Sequence, residues 1–295
     1  MLGQARIAHA QACCAGSGAV TPGRLGLHEE ALVGTQLKAG DVLGSYDVAG
    51  HYLASPSGAS ELDLEQDLFA AARFLQRGQA AVLVPLVETR RTSQGVTDFG
   101  GGIGDVNVSV RYDFTLAGAS RFVPGLAALA GITAPTGVPP DAPNLGPLAA
   151  GATGIGAWQG TLGVAVEQTF GPWLVGASAY LAQRTARTVG SGSAAVHERL
   201  APQWTALAAV AYVWPSEISL ALSASYQAVG DATIDGAEAA QSGRRQPTVT
   251  LGTVFPVTDT LRLQGSLFDN PPISGLGLNQ TSAFGALLTG VFSWL

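Results

Sequence analysis

The sequence predicts an all-β protein, a single antiparallel up-and-down transmembrane β-barrel of about twelve strands. Three observations carry that expectation. First, GDVNVSVRYDF (104–114) alternates: Asp105, Asn107, Ser109, Arg111 and Asp113 share one parity, and Val106, Val108, Val110, Tyr112 and Phe114 share the other. Successive side chains of a strand point to opposite faces, so this segment separates an apolar environment from a polar one. Second, charged residues make up only 12% of the chain and mean hydropathy is +0.27, whereas soluble domains carry roughly a quarter charged residues. Yet no uninterrupted apolar run of about 18 residues offers a spanning helix. A closed barrel is the other spanning structure that satisfies its own backbone hydrogen bonds. Third, the connections alternate between short and long.

In chain order, the first residues hold AHAQ, in which Ala8 and Ala10 form the A-x-A pattern of a signal-peptide end. Residues 1–10 are therefore expected to be the remnant of a signal peptide, 11–30 a periplasmic N-terminal tail, and 31–295 the barrel. Cys13 and Cys14 are adjacent, so they cannot staple distant strands, and metal sites need wider spacing. They are read as a terminal pair, with no metal and no cofactor expected.

Beyond the tail, weaker alternation marks strands near 31–48, 62–75 and 80–91, followed by the clear strand at 104–114. Further strands are expected near 122–135, at 158–170, and near 173–185 and 200–214. In WQGTLGVAVEQTF (158–170), Trp158, Leu162, Val164, Val166 and Phe170 oppose Gln159, Thr161, Glu167 and Thr169. In ISLALSASYQ (218–227), the Ile, Leu and Tyr positions oppose serines and Gln227. Strands near 247–256, 261–268 and 283–295 complete the set. Residues 76–79, 117–120, 171–172, 215–216 and 257–259 read as tight turns. Residues 92–102, 136–156, 186–196, 229–246 and 269–282 read as long loops. Short periplasmic turns and long external loops are the asymmetry of an outer-membrane barrel, and a sandwich with Greek-key crossings gives no reason for it.

Aromatics cluster where two interfacial girdles would lie. Phe170, Trp173, Trp214, Phe255, Phe292 and Trp294 sit toward the tight turns, and Trp158, Trp204 and Tyr226 toward the long loops. The chain ends on an apparent strand with Trp294 penultimate and Leu295 last. Bacterial barrels commonly end on a strand with an aromatic last residue that the outer-membrane assembly machinery reads, so that machinery and outer-membrane lipid are the expected macromolecular partners. Net charge is −6 and there is no basic cluster beyond pairs, which excludes nucleic acid.

Three stretches, LVPLVETRR (83–91), GGGIGDVNVSVRYDF (100–114) and AGITAPTG (130–137), resemble the Gram-negative outer-membrane barrel transporters of the meta-pathway of phenol degradation family. The shared pattern is a strand with an inward Pro, a G-[LI]-G-D turn into a strand, and a strand ending in P-T-G. The resemblance implies a bacterial outer-membrane channel that passes small, partly hydrophobic or aromatic solutes by diffusion. It supplies no binding residue.

The lumen residues are therefore read from parity. Asp67, Arg73, Arg90, Asp105, Asn107, Arg111, Asp113, Glu167, Arg184 and Arg262 are the candidate lining. Charges in a narrow pore select solutes; a mixed set can equally form a paired ladder that fills the lumen. Inward Gly163, Ala165, Ala221 and Gly265 would leave space, and inward Pro85 and Pro135 would either bend strands to make room or relieve strain. GGGIG (100–104) lacks the Lys-Ser/Thr of a phosphate loop and enters a strand, so it reads as a tight turn. Two other classes are weighed: a plugged structural or adhesive barrel whose external loops bind a partner, and an outer-membrane lipase. A lipase needs a Ser–His pair oriented by a third group. His9 and His28 fall in the tail, while His51 and His197 fall in or beside loops, so no catalytic residue is expected.

Overall fold

The computed structural model describes residues 24–26, 28–190 and 195–294; Cys13, Cys14, the Ala8–Ala10 pattern and Leu295 lie outside them. In chain order the strands are β1 (Ala31–Tyr46), β2 (Tyr52–Ala54), β3 (Ser60–Leu75), β4 (Gly78–Ser93), β5 (Val96–Ile103) and β6 (Val106–Thr115). Next come β7 (Gly125–Ala134), β8 (Gln159–Phe170), β9 (Trp173–Arg184), β10 (Arg187–Val189), β11 (Val196–Arg199) and β12 (Gln203–Val213). The last are β13 (Ser219–Val229), β14 (Thr233–Ile234), β15 (Ala237–Glu238), β16 (Arg244–Pro256), β17 (Leu261–Asp269) and β18 (Thr281–Trp294).

Twelve of these close into an antiparallel barrel, with no helix among the described residues. The ring runs β1, β3, β4, β6, β7, β8, β9, β12, β13, β16, β17, β18, and β18 pairs back onto β1 from Ala31 opposite Trp294 to Ser45 opposite Thr281. Closure removes both sheet edges, so every barrel strand has two neighbours. The short strands β10, β11, β14 and β15 form a separate small sheet that ties two of the long loops together.

Parity holds around the ring. Outward residues such as Val108 (52% exposed), Leu162 (66%) and Leu288 (61%) face away from the protein, while inward Ser109 (2%) and Ala211 (2%) are buried. An apolar exterior around a partly polar interior is the inverse of a soluble core and suits hydrocarbon outside. At the short-turn end the outward rings of Trp173, Tyr212 and Trp214 pack edge to face, as do those of Phe292 and Trp294, with centroids 5.0 Å apart. Trp158 and Trp204 are exposed at the opposite end.

Two expectations are corrected. Most of 92–102 is strand: β4 and β5 form a hairpin that rises beyond the barrel, closed by Gln94 (φ 49°) and Gly95 (φ 79°). Two successive positive φ values make the tight turn whose twist matches its flanking strands. Gly265 also faces outward, because it pairs with outward Leu288 on β18 and with Thr253 on β16.

The three stretches that carry the family resemblance meet at one point. β4 pairs with β6 only up to Leu83 and with β5 from Leu86 onward, so its partner changes at Pro85. Proline has no N–H to lose there, and its carbonyl accepts from the Gly104 amide at 2.8 Å. The Thr136 hydroxyl donates to the Gly104 carbonyl (2.6 Å) and accepts from the Val106 amide (3.0 Å). A Cβ on Gly104 would lie 2.8 Å from Pro85 Cγ. Gly104→Ala is accordingly expected to lower stability by about 1–3 kcal/mol through overpacking, read as a lower urea midpoint in detergent. Gly160→Ala, whose Cβ meets nothing within 4 Å, is the matched control that should leave the midpoint in place.

Candidate functional site

The candidate site is the lumen, built from alternate residues of the twelve strands. At its short-turn end lies a buried ionic cluster. Arg111 on β6 donates to Glu167 on β8 at 3.1 Å and pairs with Asp113 at 2.8 Å. Arg24, from the segment before β1, also pairs with Glu167 and reaches Asp113 at 3.6 Å. Four side chains, from β6, β8 and the segment before β1, thus compensate one another, as buried charges must.

The segment preceding β1 enters the ring. Leu25 is buried against the inward side chains of Leu32, Phe69, Ala71, Ala81, Leu83 and Val291, and its amide donates to Gln79 Oε1 at 3.1 Å. Arg73 donates to the carbonyls of Gly26 (2.6 Å) and Glu29 (3.0 Å), and Arg262 pairs with the Glu29 carboxylate. These residues belong to the stretch expected as a tail, and their contacts lie on the inner wall. Burial pushes the Glu29 carboxyl up, but the Gly26 amide and the Arg262 guanidinium outweigh it and hold the group below its ordinary range. A lowered folded value means that this hold is complete above the ordinary carboxylate range and is lost as pH falls through the lowered value.

Toward the long-loop end the charges separate by wall. β3 carries an inward acid column, Glu61, Asp63, Glu65 and Asp67. Lys38 on β1 answers Glu65 at 3.1 Å, Arg91 on β4 answers Glu61 at 2.8 Å, and the Thr89 hydroxyl donates to Asp63 at 3.0 Å. Asp67 is buried with one carboxylate oxygen, Oδ1, unpartnered. Across the ring, Arg184 at the end of β9 and Arg244 at the start of β16 line a cavity of about 270 Å³ where the strands meet the loops. β7, β8, β12 and β13 also present apolar, mostly small side chains inward: Ala127, Leu129, Ala165, Ala209, Ala211 and Ala221 are all buried.

Of the residues expected from sequence, Asp67, Arg73, Asn107, Arg111, Asp113, Glu167, Arg184 and Arg262 have inward parity, and Asn107 donates to Thr133 Oγ1 at 2.9 Å. Arg90 is exposed on the outward face, and its neighbour Arg91 takes the inward position. Asp105 is consumed at the β5–β6 break, where its carboxylate accepts the amides of Gly137 (2.9 Å) and Ile155 (2.7 Å) and fastens the long loop between β7 and β8. Parity reasoning missed Lys38, Glu61, Asp63, Glu65 and Arg244. The signal for three of these stands in ELDLEQD (61–67), where acids and leucines alternate. Exposed His51 lies near Asp47 (3.2 Å) and exposed His197 near Thr188 Oγ1 (3.4 Å), both at the long-loop end.

Comparison with protein-family models and with curated proteins gives no match. Among solved structures, the chain is similar to an outer membrane channel from Pseudomonas putida F1, with TM-score 0.73 and 18% identity over 94% of this chain and 98% of that one. It is also similar to the transport unit of the autotransporter AIDA-I from Escherichia coli (TM-score 0.53, 10% identity, 96% of each chain). The translocator domain of the autotransporter NalP from Neisseria meningitidis follows at TM-score 0.51 and 12% identity, over 96% of this chain and 93% of that one. At such identities the likeness concerns architecture: the chain has the fold of a twelve-stranded outer-membrane β-barrel.

Proposed function

We propose that the protein is a bacterial outer-membrane channel through which small, partly hydrophobic solutes diffuse, with outer-membrane lipid around it and no chemistry performed on the solute. The observation that carries this reading is the lumen's division into a small-residue apolar wall and charged flanks, inside an exterior suited to lipid. A solute with an apolar body can slide along Ala127, Ala165, Ala209 and Ala221 while its polar end stays among hydrogen-bonding groups. A twelve-stranded ring is wider than the eight-stranded barrels that side chains fill, and narrower than the sixteen-stranded general porins. The long loops, gathered at the mouth, would face outward, and both termini would face the periplasm, where assembly machinery receives the terminal strand. The similarity of fold to an outer membrane channel supports the same reading.

One observation favours a second reading, a plugged barrel whose loops bind a partner: residues 24–26 and 28–30 occupy the short-turn end of the lumen. Planar-bilayer recording separates the two. The full chain is expected to give small, steady conductance steps, and a variant beginning at Ala31 steps several-fold larger, with matching entry of benzyl alcohol into liposomes. Silence of both correctly inserted proteins would overturn the channel and leave the plugged barrel.

A further inference from the structure

The unbalanced arginines at the mouth point to a ligand. We infer that the mouth cavity is a binding site for the carboxylate of a small amphipathic monoanion, anchored by Arg184 and Arg244; this names a solute class for the channel proposed above and rests on it. The cavity of about 270 Å³ lies where the inward ends of β9, β12, β13 and β16 meet four loops. Four arginines line it: Arg184, Arg187, Arg244 and Arg245. Arg187 is spoken for, pairing with Glu198 at 2.6 Å and Asp141 at 3.1 Å. Arg184 and Arg244 have no acid within ion-pair distance among the described residues. Two like charges converging on one partly enclosed space repel each other, and an anion between them removes that cost.

The site is also built to hold an anchor in place. Arg184 Nε donates to Gln159 Oε1 at 2.9 Å and a second guanidinium nitrogen donates to Gln203 Oε1. Those contacts fix the plane of the fork and leave its remaining donors for the ligand. A carboxylate matches a guanidinium in shape as well as charge, accepting two parallel hydrogen bonds. The rest of the lining selects the ligand's body. Leu200, Val229 and Ala232 add apolar surface, which a ring or short chain covers and an inorganic anion does not. Sites for drug-sized ligands measure roughly 300–1,000 Å³, so this one suits a single ring. A lipid headgroup is disfavoured as the source of the anion, because Arg184, Gln203, Gln227 and Arg244 reach the cavity from inward positions, behind the wall that meets lipid.

The test uses the whole chain in detergent micelles, titrated calorimetrically with benzoate, its neutral counterpart benzyl alcohol, and inorganic phosphate as competitor. Benzoate should bind about tenfold or more tightly than benzyl alcohol. Arg244→Gln should weaken benzoate by a similar factor and benzyl alcohol far less. Arg184→Gln should do the same, with the heat-dependent gel shift of an intact barrel showing that each variant has folded. Equal affinity for the two ring compounds, displacement of benzoate by equimolar phosphate, or a folded Arg244→Gln protein with unchanged benzoate affinity would each overturn the site. Benzyl alcohol flux through the wild-type protein in liposomes keeps the two readings apart. Flux without arginine-dependent benzoate binding defeats the site alone, whereas arginine-dependent binding without any flux upholds the site and defeats the channel.

Discussion

Glu167→Ala should destabilise the barrel by about 3 kcal/mol, the low end of what breaking a buried ion pair costs. Glu167 and Arg111 are 5% and 8% exposed at their side chains, and Arg24 shares the same carboxylate. Removing it leaves two guanidiniums to divide Asp113, in a setting largely closed to water. The expected observation is a lower urea midpoint in detergent and loss of the folded gel band at lower temperature. Glu167→Gln keeps the shape and one acceptor oxygen, so its loss should be smaller. An alanine variant with the wild-type midpoint would show that the cluster is not holding β6, β8 and the N-terminal segment together.

Neutralising the acid column should have the largest effect on permeation. With Glu61, Asp63 and Glu65 facing two bases, Lys38 and Arg91, on that wall, small inorganic cations should be favoured along β3, across the lumen from the arginines of the mouth cavity. In the combined variant Glu61→Gln, Asp63→Asn, Glu65→Gln, Asp67→Asn, the inward basic groups Lys38 and Arg91 remain on that wall and Arg184 and Arg244 across the ring. The reversal potential in a salt gradient should therefore change sign, from cation-selective to anion-selective. The experiment belongs at low ionic strength, because at 0.1 M salt fields fade over about 10 Å. A reversal potential that stays put would mean that ions do not pass along β3.

Much of this was legible because lipid and lumen impose opposite demands on neighbouring residues, and a strand records both. Val106 to Phe114 could be phased by eye, as could the serines of β13, and the ring closes with the number of strands those patterns implied. The phase fails where both faces are apolar. In AAVLVPLVETRR (80–91) the inward Ala81 and Leu83 look no different from the outward Val82 and Val84, because the lumen at that level is packed by Phe69, Leu32 and Leu25. Nothing local then says which of Arg90 and Arg91 points in. The segment before β1 left no trace either. Its lumen contacts are made by a few side chains without strand or helix periodicity, so only the folded ring reveals them. Asp105 misled for another reason: it has the parity of a lining residue but sits at the break beside Gly104, where backbone amides claim its carboxylate.

The junction at Pro85, Gly104 and Thr136 bears on how kinship among such barrels should be interpreted. Pro85, Gly104 and Thr136 are masonry, securing one loop and one change of strand partner, and their hydrogen bonds go to backbone and not to the lumen's charged groups. A barrel can keep this masonry and change its cargo, so the junction speaks for the scaffold and leaves the freight to be read from the lumen.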